Sequence, residues 1–134
     1  MKVIIFCSSQ SELGTAVEKR ILLELSNIET QQVGSMDTLI QKLCRPLNQI
    51  AVIIMLDVDE RAISQLSAYK PILDHIYLIL VMKEDKRPSL LPLALQLSTS
   101  FIGNPEGLDN IISVLKKIVM RIHLRNNIFT DFKL

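Results

Sequence analysis

The sequence predicts one α/β domain with a doubly wound, five-stranded parallel sheet and helices on both faces. Three continuous apolar runs, rich in Ile and Val, have the length and composition of strands that are covered on both faces: Val3–Phe6, Ile50–Leu56 and Ile76–Met82. Segments of helical periodicity separate these runs. Strands that alternate with helices form parallel βαβ units with right-handed crossovers, which gives this fold class.

Two shorter and more polar segments complete the predicted sheet. They are Glu29–Val33 and Thr99–Gly103, the second and fifth strands in chain order. In the strand order 2-1-3-4-5 of flavodoxin-like folds, the second and fifth strands are the edges and the other three are interior. Because the polar segments fall at the edge positions and the apolar runs at the interior ones, the pattern predicts this order.

The helices are predicted from apolar stripes at helical spacing. Four of them are marked by the stripes that begin at Leu13, Leu39, Ala62 and Ile111.

Local signals predict where the helices begin and end. Ser9 and Glu12 form a capping box before the first helix, and Ser35 can cap the second. Pro71 should end or kink the third helix, and the prolines after the third apolar run predict a short fourth helix at roughly Leu93–Leu97.

Composition limits the functional classes. The 134 residues are 49% hydrophobic, and 15 basic and 14 acidic side chains give a net charge of +1. This predicts one well-covered domain and provides no basic excess for nucleic acid. The apolar runs have strand length and are too short to span a bilayer, so we expect no membrane binding. No targeting segment is recognised and neither cysteine requires a disulfide, so we expect a cytoplasmic protein. Residues 1–122 form the predicted domain, and 123–134 form a tail that packs on the domain or on a partner.

The carboxyl ends of the strands are where a sheet of this order binds ligands. The residues predicted to form a pocket there follow strands one, three, four and five: Cys7, Ser8, Ser9, Asp57, Asp59, Met82 and Asn104. The mixed-charge run Lys83–Arg87 is interpreted as a solvated loop. Neither histidine has neighbours at metal-ligand spacing, so we expect no metal site.

Two segments resemble the receiver domains of response regulators. Leu56-Asp57-Val58 is similar to the phospho-acceptor segment of those domains, and Phe101-Ile102-Gly103 with Asn104-Pro105 is similar to their fifth strand and the pair that follows it. The resemblance covers the layout of residues 1–122. It implies a signalling domain in which Asp57 is the candidate phospho-acceptor.

Several positions depart from the receiver pattern. The acidic pair after strand one is Cys7-Ser8-Ser9, the hydroxyl residue after strand four is Met82, and the lysine after strand five is Asn104. Phosphoryl transfer to a carboxylate requires a divalent ion and a cation that offsets developing charge, although Asp59 could partly rebuild an ion site. The departures therefore predict a pseudo-receiver without catalysis or cofactor, in which Asp57 or Asp59 serves as a helix cap.

The open alternatives are a phosphotransfer protein and a small-ligand-binding protein. Cys7, at the end of the first strand, resembles the phosphocysteine site of sugar-phosphotransferase IIB proteins, and its ordinary interpretation is a buried, inert side chain. The loop Ser8–Ser11 with Gly14-Thr15 loosely resembles a flavodoxin phosphate loop. The chain lacks Trp, so flavin stacking is not expected, but a small ligand could bind above Cys7 and Asn104.

A protein interface is predicted on the surface that receivers use for signalling. By resemblance it comprises Leu93–Leu97, Thr99–Gly103 and Asp109–Ile122. The last of these segments is long and apolar, and the hydrophobic content is high for a small chain. We therefore expect a homodimer, with any other protein partner unidentified.

Overall fold

The sheet of the computed structural model has the predicted order, β2-β1-β3-β4-β5, and each neighbouring pair is parallel. The structure describes residues 1–7, 12–46, 48–56 and 58–131, with side chains described as far as Arg125. The strands are β1 (Lys2–Cys7), β2 (Glu29–Val33), β3 (Ile50–Leu56), β4 (Tyr77–Val81) and β5 (Thr99–Gly103). The flavodoxin-like α/β fold class is therefore confirmed.

Helices connect the strands and lie on both faces of the sheet. They are α1 (Glu12–Glu24), α2 (Met36–Leu43), α3 (Glu60–Ser67), α4 (Lys70–Leu73), α5 (Arg87–Gln96) and α6 (Leu108–Asp131). Within the described part of the chain, no helix combines the length and the hydropathy that crossing a membrane requires.

Two separate hydrophobic cores result from the alternation of side chains along each strand. In β1, Ile4 and Phe6 pack with α2, α3, α4 and α5, whereas Val3 and Ile5 pack with α1 and α6. The interior strands β1, β3 and β4 are buried along most of their length, while β2 and β5 are partly exposed. Edge position therefore explains why the second and fifth strands are polar.

Side-chain caps start two of the helices. The Ser35 hydroxyl accepts a hydrogen bond from the backbone N–H of Thr38 at 3.2 Å, which confirms the predicted cap of α2. Asp59 caps α3, since its Oδ1 accepts from the N–H of Ala62 at 2.8 Å. The Ser9 capping box lies outside the described residues.

Proline positions correct two expectations about helix ends. Helix α3 ends at Ser67, before Pro71, which instead lies in the first turn of the separate helix α4. The expectation of a short fourth helix at Leu93–Leu97 was wrong, because α5 begins at Arg87. Pro88 occupies its first turn, where the missing N–H costs nothing, and Pro92 is accommodated inside the helix.

The last helix is longer than its apolar stripe suggested. Helix α6 continues to Asp131, so the predicted domain boundary at residue 122 falls inside a helix. Its buried residues end at Val119, and Ile122 is partly buried against the same core.

Candidate functional site

The carboxyl edge of the sheet brings three of the predicted loops together through backbone hydrogen bonds. The N–H of Val58 donates to the Val81 carbonyl at 3.4 Å, and the N–H of Met82 donates to the Gly103 carbonyl at 3.0 Å. The loops after β3, β4 and β5 are therefore tied to one another. Three of the predicted pocket residues, Ser8, Ser9 and Asp57, lie outside the described residues.

Two of the other predicted pocket residues face the protein interior. The Met82 side chain is fully buried in the core beneath α2 to α5. Cys7 is partly buried at the end of β1 and packs against the opposite core. Helix α1 lies close above it, since a side-chain carbon placed on Gly14 would come within 3.8 Å of the Cys7 Cβ.

Asp59 lies beside a cleft between the first turns of α2 and α3. The cleft has a volume of about 260 Å³ and is lined by Phe6, Ser35, Met36, Asp37, Asp59, Arg61, Ala62 and Gln65. Asp59 and Ser35 both accept backbone hydrogen bonds as helix caps. The cleft therefore contains polar groups of both charge signs, and two of them are engaged in holding helix ends.

Asn104 is held by a residue that the sequence did not single out. The Arg87 Nη2 donates a hydrogen bond to the Asn104 Oδ1 at 2.8 Å, so the first residue of α5 contacts the loop after β5. The Arg87 Nε is buried and has no hydrogen-bond partner in the described part of the chain. Arg87 belongs to the run that was interpreted as a solvated loop. The sequence signal that distinguishes it from the rest of that run is its position one residue before Pro88, at a helix start.

In the part of the chain that the structure describes, no group of three His, Cys, Asp or Glu side chains is close enough to hold a metal ion.

A second feature is the outer side of α1 and α6, which cover the same face of the sheet. Five large apolar side chains are exposed among the described residues, and four of them are on these two helices: Leu22, Leu23, Met120 and Leu124. We call the outer side of α1 and α6 that carries Leu23, Met120 and Leu124 the α1–α6 surface; Leu22 lies on the flank of α1 away from Glu24 and α6. Single exposed leucines are ordinary, whereas this concentration on one layer marks a candidate contact surface.

Ion pairs fix the two helices beside each other. The Lys116 Nζ and the Arg20 guanidinium both contact the Glu24 carboxylate, and Arg20 also reaches Asp109 at 2.8 Å. Hydrogen bonds from Arg20 and then Lys116 lower the pKa of Glu24 below its usual value. Glu24 is therefore engaged within the layer.

Comparisons of the chain with protein-family models, curated proteins and solved structures give no match. The fold is assigned from its own strand order and its two helical layers.

Proposed function

We propose that this chain is a non-catalytic, receiver-like module that acts through protein contacts made by the α1–α6 surface. The observation that carries the proposal is the concentration of exposed Leu and Met side chains on that surface. Fully burying one such side chain contributes about 1.5–3 kcal/mol, so a partner covering several of them would gain substantial binding free energy.

The structural contacts of three predicted pocket residues support the non-catalytic part of this proposal. Met82 is buried in the core, Asp59 caps α3, and Asn104 accepts a hydrogen bond from Arg87. Each of these side chains has a structural contact that accounts for its position.

The contact surface overlaps with the one expected by analogy with receivers only at α6, which contains the expected segment Asp109–Ile122. Leu95 is the exposed apolar residue of α5, and α5 covers the opposite face of the sheet from α6. Most of the exposed apolar side chains are instead on α1 and on α6, which adjoin through Glu24 and Lys116. We therefore place the contacts on the face covered by α1 and α6.

The absence of phosphotransfer can be tested directly. The full chain is incubated with acetyl phosphate and Mg²⁺, and its intact mass is measured. We expect no added phosphate. A Mg²⁺-dependent adduct that is lost in Asp57→Asn would overturn the proposal, and the unchanged chain without Mg²⁺ is the control.

One observation favours phosphotransfer as a second candidate function. Arg87 places a guanidinium at the carboxyl edge of the sheet, where a cation would offset charge developing on a phosphoryl group. Under this alternative, the acetyl phosphate experiment gives an adduct whose yield falls in Arg87→Ala. Loss of the adduct in Cys7→Ser rather than in Asp57→Asn would identify the cysteine as the acceptor.

A further inference from the structure

Helix α6 continues past the end of its neighbour. Helix α6 has 24 residues, a length of about 36 Å, whereas its fully buried residues end at Val119, halfway along. Helix α1 ends at Glu24, whose carboxylate bonds Lys116. Met120 and Leu124, one and two turns beyond Lys116, lie past this contact and on the side of α6 away from its buried residues, so no helix of the described fold covers them.

Two ridges run along this uncovered part of α6. Met120 and Leu124 are four residues apart and are 63% and 57% exposed, so they form an apolar ridge. Lys117 and Arg121 have the same spacing and form a basic ridge beside it, and both are exposed. Leu23, 80% exposed, lies near the end of α1 next to Glu24. The uncovered part of α6 thus presents apolar and basic ridges side by side.

The charge of this segment has one sign. Between Asp109 and Asp131, every charged residue of α6 is basic: Lys116, Lys117, Arg121 and Arg125. Lys116 is paired with Glu24, while Lys117 and Arg121 form no salt bridge with any described side chain. Arg125 lines a separate cleft that also contains Asp74, so it is not part of this surface. Among the described side chains, Lys117 and Arg121 are therefore two unpaired cations next to the apolar ridge.

We propose that the uncovered part of α6 binds an acidic amphipathic helix of a partner protein. This inference rests on the proposed function and specifies the chemistry of the partner. An apolar ridge on the partner packs against Met120 and Leu124, as in helix-in-groove recognition by side chains at i and i+4 spacing. Flanking carboxylates pair with Lys117 and Arg121 and select the partner by charge.

Other occupants fit the surface less well. The same segment of a second copy presents the same cations and has no acidic residue between Asp109 and Asp131, so it offers no carboxylate to pair with Lys117 and Arg121. A membrane-surface helix buries a broad apolar face, commonly with aromatic residues, whereas this ridge contains Met120 and Leu124. Duplex DNA would neutralise the cations but leave the apolar ridge without a contact. An acidic helix satisfies both ridges.

The test uses the full chain and a synthetic probe. The probe is a fluorescent helical peptide with Leu at i and i+4 spacing and Glu at the flanking positions, and the matched probe has Lys in place of each Glu. Fluorescence anisotropy gives the affinities. We expect micromolar binding of the Glu peptide, weakened by salt, with the Lys peptide at least about tenfold weaker.

Variants locate the binding surface. Leu124→Ala should weaken binding of the Glu peptide by about tenfold, which corresponds to burying part of one leucine. Arg121→Glu should weaken it by about fivefold or more and improve binding of the Lys peptide. Arg45→Glu, an identical change at an exposed residue just after α2 on the opposite face, should change neither affinity. Circular dichroism checks that each variant is folded.

Several outcomes would overturn the inference. These are absence of binding to the Glu peptide, equal binding of both peptides, tighter binding to phosphatidylserine vesicles or to duplex DNA, and a dimer in sedimentation that Leu124→Glu dissociates. None of them produces a phosphate adduct, so failure of this inference is distinguishable from failure of the non-catalytic proposal, which the acetyl phosphate experiment decides.

Discussion

Replacing Asp59 tests whether this predicted pocket residue has a structural role at the start of α3. In the structure, the Asp59 Oδ1 accepts a hydrogen bond from the N–H of Ala62 at 2.8 Å. The Asp59→Ala change removes this acceptor and leaves the N–H without its cap. The Asp59→Asn change removes the charge but keeps an oxygen that can accept the same bond.

The magnitudes follow from the geometry of the cap. Loss of a capping side chain costs about 0.5–2 kcal/mol. Because Asp59 is exposed, water can partly replace the lost bond, and we expect Asp59→Ala to lower the free energy of unfolding by about 1 kcal/mol. Asp59→Asn loses only the favourable charge at the helix start, which contributes about 0.3 kcal/mol at an exposed position.

Urea denaturation followed by circular dichroism measures these differences, with equal slopes showing that the unfolding transition is unchanged. Asp37→Ala is the matched control, because Asp37 is an acidic residue in the first turn of α2 that does not serve as the cap. We expect its effect to be smaller than that of Asp59→Ala.

Two results would refute the assignment of Asp59 as a cap. If Asp59→Asn cost as much as Asp59→Ala, charge rather than the hydrogen bond would be the important property. If Asp59→Ala left stability unchanged or raised it, the cap would make no contribution, and the carboxylate would have to be explained by a role at the carboxyl edge.

Three further predictions concern the core, an ion pair and the carboxyl edge. Ile54→Ala, at a fully buried position of β3, should lower the free energy of unfolding by about 2–5 kcal/mol in urea denaturation, whereas Leu22→Ala should change it by less than about 0.5 kcal/mol. The pKa of Glu24 is lowered in the folded state, so the ionised carboxylate stabilises the fold above the unfolded-state pKa, and this contribution is lost as the pH falls through the lower folded-state pKa. Glu24→Gln should therefore make the free energy of unfolding fall less steeply at acidic pH. Denaturation at a series of pH values measures this slope. Asn104→Ala should lower the free energy of unfolding by about 1 kcal/mol because it leaves the Arg87 Nη2 without its acceptor, while Asn104→Asp keeps an acceptor and should retain that stability. An equal loss in both variants would contradict the assigned contact.

The fold was predictable because burial on both faces leaves a direct trace in the sequence. A strand covered on both sides must be apolar at every position, as Ile50–Leu56 is, and a strand at an edge tolerates residues such as those of Glu29–Val33. These two patterns gave the interior and edge strands and hence the order. Helix ends were less predictable, because Pro88 and Pro92 are compatible either with a break or with a helix that begins at Arg87.

The carboxyl edge was predictable in location but not in its contacts. Strand order brings Met82 and Asn104 to the same edge, but the depth of Met82 in the core depends on side-chain packing. The contact between Arg87 and Asn104 joins residues 17 positions apart, one at the start of α5 and one in the loop after β5. The position of Arg87 before Pro88 marks a helix start, but it does not indicate which residue Arg87 contacts. A run of mixed charges such as Lys83–Arg87 has the composition of a solvated loop even when its last residue reaches inward.

The part of α6 that we assign to the contact was predicted only in part. The sequence placed an interface on Asp109–Ile122, but residues 123–134 were expected to form a tail, whereas helix α6 continues to Asp131. Once the helix is known to continue, its periodicity places the apolar residues. Leu115 and Leu124 are nine residues, or two and a half turns, apart, so they lie on opposite sides of α6; the first is fully buried and the second is more than half exposed. Apolar and basic residues on the outward side of α6 make no core contact in the described part of the chain, which is why we assign the contact to this segment rather than to the edge where the strands end.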